Sequence, residues 1–262
     1  MKFLEKRLAI SLILIALFFP GLGGVIVSGS PALDSFGGHA WAFDDNYLDD
    51  PFDDPFMEPQ ILHHDPLEPF NRAMFTFNDR LYFWVLKPVS TGYGTVIPEG
   101  LRLCIRNAFD NILFPVRFVN NALQGKFKGA GVETGRFLIN STLGVGGLFD
   151  LASRDFGLEP YNEDFGQTLG HYGMQPYVYV VWPFLGPSTA RDTIGIAADY
   201  ALNPFFYLVP HWWGRGAVKS GEVTNDTSLR IGEYEDFKAV AIDPYVSMRD
   251  AFLSHRARQI ER

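Results

Sequence analysis

Asp65-Pro66-Leu67-Glu68-Pro69-Phe70-Asn71-Arg72-Ala73-Met74-Phe75-Thr76-Phe77-Asn78 carries the apolar spacing of a helix. Leu67, Phe70, Met74, Phe75, Phe77 and then Leu81 recur at threes and fours, and Asn71 and Asn78 lie seven residues apart on one face. Pro88 is expected to stop this helix, because proline has no N–H to donate and crowds the preceding turn. Leu101, Ile105, Ala108, Phe109 and Ile112 predict a second helix from Pro98 to about Asn111. Pro115 suits the first turn of a third, ending near Gly125. A fourth, from Gly129 to Leu143, carries Val132, Phe137 and Ile139, with Arg136 and Asn140 one turn apart, and breaks at Gly144-Val145-Gly146-Gly147. Tyr177-Val178-Tyr179-Val180-Val181 has strand composition but lies between Pro176 and Pro183, so an extended wall segment and a paired strand fit it equally. Helix returns from Thr193 to Tyr207, interrupted at Pro204, and from Pro244 to Arg258, where Arg256 and Arg258 suit a helix C-terminus. The expected class is mainly α: a single domain over residues 65–258, with at most a short hairpin and a tail at 259–262.

Upstream of this body the chain reads as an export signal. Lys2, Lys6 and Arg7 precede an apolar run from Leu8 to Phe19, which Pro20 and Gly21 break. The run is shorter than a membrane span, and Ala40-Trp41-Ala42 supplies small residues for cleavage after Ala42. A retained anchor is the competing reading, since a helix that tolerated Pro20 would stay apolar to Val27. No cysteine precedes Cys104, so no acyl-acceptor cysteine follows the apolar run, and a single cysteine excludes an intramolecular disulfide framework.

The net charge of −8 is unevenly placed. Residues 43–70 hold nine acidic side chains and no Lys or Arg, whereas residues 71–262 hold 19 basic and 19 acidic ones. The acidic stretch repeats Asp-Asp-Pro-Phe at 49–52 and 53–56, and self-repulsion with recurrent proline predicts an extended linker over 43–64. A neutral body with 15% aromatic residues offers no electrostatic footprint for nucleic acid.

Enzyme signatures fail in turn. Gly186-Pro187-Ser188-Thr189-Ala190 ends in alanine and places proline where a nucleophile elbow must turn sharply. The glycines at 144–147 lack the Lys-Ser/Thr of a phosphate loop and read as a hinge or a close-packed turn. His63-His64-Asp65 reads as solvated, His171 as a structural turn residue, and Asp192 and Asp199 are indistinguishable from helix-surface charges. No metal site, cofactor or catalytic residue is expected. The positive signal is aromatic: Phe205-Phe206-Tyr207-Leu208-Val209-Pro210-His211-Trp212-Trp213, and Tyr82-Phe83-Trp84-Val85-Leu86. Such clusters suit either a core or a bilayer interface, where Trp and Tyr satisfy an apolar body and a polar tip together.

The opening stretch, including Asn71, Arg72 and Asn78, resembles the first motif of the MlaA/VacJ outer-membrane lipoproteins. Further matches follow in order: Lys87-Pro88-Val89; Asn-Asn-Ala-Leu-Gln-Gly at 120–125; Arg136-Phe137 through Asn140 to Leu-Gly-Val-Gly-Gly-Leu-Phe-Asp at 143–150; Phe-Gly-Gln-Thr-Leu-Gly-His-Tyr-Gly at 165–173; Pro-Phe-Leu-Gly-Pro-Ser at 183–188 with Arg191-Asp192; and Asp243-Pro244-Tyr245 with Arg249.

The resemblance implies a ring-like helical domain at the periplasmic face of the outer membrane. Amphipathic helices would face lipid, and a polar channel would accept phospholipid headgroups. Its partners would be phospholipid, the outer membrane, a periplasmic carrier of the MlaC type and a trimeric porin. Carried onto this chain, Arg136, Asn140, Arg191 and Asp192 become candidates for the channel, and Gly144, Gly146 and Gly147 for a hinge beside a mobile hairpin between Asp150 and Gly166. Tyr82, Trp84, Trp212 and Trp213 become candidates for the membrane interface. The absence of an acyl-acceptor cysteine departs from the family pattern and shifts the work of membrane attachment to the body, or to a retained N-terminal segment in the inner membrane. The alternative function is an envelope adaptor that binds partners through the acidic linker. N-terminal sequencing of the mature protein from fractionated outer membranes is expected to begin at Phe43; Met1 would establish the retained anchor.

Overall fold

The computed structural model describes residues 65–261. The expected signal peptide at 1–42 and linker at 43–64, with His63 and His64, lie outside the described residues. Helix α1, Glu68–Leu81, begins with Glu68 in its first turn and Pro69 next, residues that suit the donor-rich end of a helix. Its buried face is unusual for a helix of this spacing: Phe75 is flanked by Asn71 and Asn78, both buried.

A hairpin explains the two asparagines. Strand β1, Tyr179–Trp182, pairs antiparallel with β2, Gly186–Thr189, in the register Tyr179 to Thr189. A two-stranded sheet leaves the outer edge of β1 without backbone partners, and α1 supplies them through side chains. Asn71 donates to Tyr179 O at 3.0 Å and accepts from Val181 N at 2.8 Å. Asn78 donates to Trp182 O at 2.9 Å and accepts from Phe184 N at 2.8 Å. Seven helical residues advance about 10.5 Å and three strand residues about 10 Å, so the two amides meet the strand at matching intervals. Of the two readings for residues 177–181, the structure selects a paired strand starting at Tyr179.

Pro88 does not end the first helical segment. Tyr82–Leu86 form a π-helical turn, with Lys87 N donating five residues back to Tyr82 O, and the chain continues as α2, Lys87–Val96. The widened turn falls just before the proline, where an α-helical ladder would otherwise lose a bond and meet the ring. Then follow α3, Glu99–Ile112; α4, Phe114–Leu123; α5, Phe127–Thr142; α6, Leu151–Phe156; and α7, Phe165–His171. Beyond the hairpin come α8, Ala190–Leu202; α9, Pro204–Leu208; α10, Trp212–Leu229; α11, Glu233–Val240; and α12, Pro244–Glu261.

Packed neighbours close on themselves. Helix α1 runs through the π turn into α2; α2 packs on α10, and α10 on α3. Helix α3 touches α4 and α5, α4 touches α7, α7 packs on α8 and α12, and α12 meets β2, whose partner β1 lies on α1. The apolar core occupies the closing arc, where Phe75, Tyr82, Tyr179, Tyr234, Tyr245, Met248 and Phe252 form one cluster. Tyr82 and Tyr234 meet edge to face at 4.8 Å, a favoured aromatic geometry. Tyr245 donates to the Asp65 carboxylate, tying the start of the described chain to its last helix. Among the described residues no helix is long and apolar enough to cross a membrane.

Asn71→Ala strands a buried carbonyl and a buried N–H of β1, and is expected to cost about 3 kcal/mol in urea unfolding. Arg72→Ala removes exposed ion pairs to Glu68 and Asp243 and a cation–π contact with Tyr245, and should cost about 1 kcal/mol. Equal losses would refute the edge-pairing role of Asn71.

Candidate functional site

Helix α10 has few apolar residues to bury, and its buried positions are Lys219, Asn225, Thr227 and Ser228. Polar side chains hold it in place instead. Tyr93 of α2 donates its hydroxyl to Asn225 Oδ1 at 3.0 Å, and Asn225 donates to Arg102 O of α3 at 2.9 Å. Arg102 in turn donates to Ser228 O at 2.6 Å.

This packing brings charged residues of α3 and α10 together. Arg106 and Asp110 lie one turn apart on α3; Lys219, Glu222 and Asp226 follow at three and four residues on α10. Asp110 keeps water-accessible surface and has protein packed around it. That enclosure raises its pKa, and the nearby charges of Arg117 and Arg106 do not restore it. Asp226 is pushed up to about 7, first by the same desolvation and then by the charges of Asp110 and Glu222.

The residues singled out from sequence fall into different places. Arg136 and Asn140 of α5 converge on Asp150, at 3.0 and 2.8 Å. Asp150 caps α6 by accepting from Ser153 N, and Asn140 accepts from Ala152 N at 2.9 Å. Desolvation works to raise the Asp150 pKa, but hydrogen bonds from Asn140 and Ser153 and the charge of Arg136 bring it below the usual carboxylate range. Gly144 and Gly147 pack a turn against this clamp, while Gly146, at a φ of 71°, borders open space. A Cβ on Gly144 would lie 2.3 Å from Phe149 O, and one on Gly147 would lie 2.5 Å from Asn111 Cβ of α3. Helix α6 and an extended stretch occupy the interval between Asp150 and Gly166, where the resemblance implied a mobile hairpin.

Arg191 and Asp192 belong to a buried ion network whose centre the sequence did not mark. Arg256 of α12, read from sequence as a favourable charge at a helix end, is 2% exposed. It donates to Asp164, the N-cap of α7, at 2.7 and 3.0 Å, and to Asp192 of α8 at 2.8 and 3.3 Å. Burial works to raise the Asp192 pKa; the guanidiniums of Arg256 and Arg191 outweigh it and hold the group at about 2. The helices beneath can approach because neither has a side chain at the crossing: a Cβ on Gly195 would lie 2.4 Å from Gly166 N. Asp199, one to two turns along α8, is also buried, accepting from Asn120 Nδ2 at 2.9 Å and from Phe165 N. Desolvation, and then the charge of Asp164, push it up to about 7.

The outer surface carries the large apolar side chains. Phe70, Phe77 and Trp84 are exposed at seven-residue spacing, with Trp84 74% exposed. Trp212 and Trp213 at the start of α10 are 42% and 62% exposed. Tyr82 is placed differently, buried at 5% in the core with its hydroxyl donating to Glu235 at 2.9 Å. Ser188 is buried within β2 beside Thr193 Oγ1, at 3.1 Å, and His171 is exposed against Tyr172.

The MlaA lipoprotein family model matches residues 63–259. The intermembrane phospholipid transport system lipoprotein MlaA of Escherichia coli is 34% identical over 195 residues, 72% of this chain and 75% of the relative. Its Haemophilus influenzae namesake is 34% identical over 198 residues, 72% of this chain and 76% of the relative. An uncharacterized protein of Rickettsia felis is 36% identical over 197 residues, 75% of this chain and 77% of the relative. A solved chain described under the structural basis for maintenance of bacterial outer membrane lipid asymmetry aligns with a TM-score of 0.65 at 32% identity, over 75% of this chain and 99% of that one.

Asp199 sets a pH dependence with a definite sign. With its pKa at about 7, folded Asp199 keeps a proton that the unfolded chain releases near pH 4, so stability falls as pH rises between these values. Asp199→Asn removes the titration. Its gain in Tm over the wild type is expected to be several degrees larger at pH 8 than at pH 5 by calorimetry; an equal difference at both would refute the assignment.

Proposed function

The chain belongs to the MlaA lipoprotein family, and from that premise we propose that it serves intermembrane phospholipid transport, removing phospholipids misplaced in the outer leaflet of the outer membrane. The observation that carries this reading is a reversal of polarity. Charged side chains of α3 and α10 gather where those helices pack, while Phe77, Trp84 and Trp213 are exposed. A headgroup is favoured beside such charges and acyl chains beside such exposed aromatic rings. The family's role is transport, which requires binding and release rather than bond-making.

Attachment without an acyl chain is energetically adequate. One myristoyl chain binds a bilayer with a constant of about 10⁴ M⁻¹, or about 5–6 kcal/mol. Burying a large apolar side chain contributes about 2 kcal/mol, so three exposed aromatics such as Phe77, Trp84 and Trp213 supply a comparable amount. The same reading gives residues 1–42 as a removed signal peptide, the periplasmic face of the outer membrane as the residence, a soluble carrier of the MlaC type as acceptor, and a trimeric porin as a membrane neighbour. Gly144, Gly146 and Gly147 are then the point about which the turn next to α6 moves.

Deleting the gene in a strain without a paralogue is expected to raise outer-leaflet phospholipid and detergent sensitivity together. If both stay at wild-type levels, the transport reading is wrong.

A further inference from the structure

We infer that the turn at residues 143–149 is a lipid-inserting tip, with Val145 its leading side chain, and that it enters the headgroup–acyl boundary of a bilayer. The inference rests on the transport reading, in which the body holds the membrane without an acyl chain, and adds to it a point of entry. The backbone at this turn is strained for no internal gain. Among the described residues three other than glycine have positive φ: Val145 at 56°, Tyr177 at 53° and Phe184 at 66°. Val145 is the β-branched one, the kind of residue for which the left-handed region is most crowded. Phe184 is held there by contacts inside the fold, since its N–H donates to Asn78 Oδ1 at 2.8 Å and its ring meets Phe77 edge to face at 5.2 Å. Val145 is 61% exposed, so packing within the chain does not hold it in the same way. Glycine, present on either side at 144 and 146, would adopt this backbone freely. A strained residue with its side chain in the open points to work done outside the fold.

The chemistry of the turn favours lipid over a protein partner. Residues 137–149 hold no Asp, Glu, Lys, Arg or His, and the charges at either end, Arg136 and Asp150, pair with each other at 3.0 Å. Leu143, Leu148 and Phe149 are exposed beside Val145. Backbone donors that a surface loop would leave to water are used internally. Leu143 N and Gly144 N donate to Ile139 O at 2.8 and 3.1 Å, Gly146 N to Ser141 O at 3.0 Å, Gly147 N to Asn140 O at 2.8 Å and Phe149 N to Gly144 O at 3.0 Å. Polar side chains at the base of the turn are engaged as well. Thr142 donates to Leu138 O at 2.6 Å, Ser141 Oγ accepts from Asn111 Nδ2 at 2.9 Å, and Asn140 donates to Asp150 at 2.8 Å. A protein interface carries a polar rim with hydrogen bonds to offer. A segment that keeps its donors to itself and presents apolar side chains loses least on leaving water for lipid.

The test uses the purified full chain as wild type, Val145→Asn and Val145→Gly, both replacements being tolerant of the left-handed region. Calorimetry in detergent should place the Tm of the Asn variant about 2–4 °C above the wild type, because the strain is gone. Its partition onto vesicles of equimolar phosphatidylethanolamine and phosphatidylglycerol, read by co-flotation, should fall about tenfold, the worth of one buried valine. The Gly variant should bind as weakly, and it decides the matter if the Asn variant fails to fold. A dye attached to Val145→Cys, in a chain also carrying Cys104→Ser, should be quenched more by a nitroxide at the top of the acyl chain than by one on the headgroup.

A Tm unchanged or lowered in the Asn variant would make Val145 a packed residue of the fold and overturn the inference. Unchanged vesicle binding in both variants, or quenching led by the headgroup label, would overturn it and leave transport standing. A wild-type dimer in detergent that Val145→Asn dissolves would give the turn to a second copy and overturn the lipid assignment. A wild-type chain that stays off the vesicles altogether would overturn attachment by the body, and the inference with it.

Discussion

Arg256 makes four charge-assisted hydrogen bonds to Asp164 and Asp192 at a site closed to water, and the circuit of helices depends on them. The three residues come from α12, the cap of α7 and the first turn of α8, so one guanidinium fixes the last helix against the middle of the chain. Such a pair repays its desolvation only when geometry is good and every donor is used, and it contributes more to a unique arrangement than to net stability. A planar fork with five donors meets that demand where a lysine could not. The close crossing at Gly166 and Gly195 is the counterpart: without it the carboxylates could not reach the same cation.

The chain builds its fixed points from amides and ion pairs wherever two elements meet at a polar surface. Asn71 and Asn78 stand in for a third strand, Asn120 links α4 to Asp199 of α8, and Asn140 with Arg136 secures Asp150. Conventional apolar packing is concentrated in the arc of α1, β1, α11 and α12. Where the buried positions are polar, directional hydrogen bonds take the place of ordinary hydrophobic contacts.

That inversion also explains what the sequence disclosed. Helices α1, α3, α4 and α5 are legible because their apolar residues recur at helical spacing, even though most of the side chains they bury are Asn, Glu and Arg; so are their ends, at Pro98, Pro115 and Gly125. Helix α10 escaped because its buried residues are Lys219, Asn225, Thr227 and Ser228, and a search for apolar spacing finds nothing there. With α10 unread, Asp226 and its proximity to Asp110 were unreadable too, since that neighbourhood exists only once α3 and α10 pack. Asp192 and Asp199 looked like surface charges because burial of a carboxylate depends on a partner far along the chain. The aromatic clusters split for a local reason: Trp84 points outward, but the π-helical turn that contains it sends Tyr82 into the core.

The amide pairing of β1 has a consequence for the order in which the chain is made. Helix α1 precedes β1 by about a hundred residues, so during synthesis the cover exists before the edge it will protect. A hairpin emerging with a bare edge is an invitation to pair with another copy. Here α1 already carries both asparagines at strand spacing before the hairpin is made, and the hairpin can be claimed by its own chain as soon as it forms.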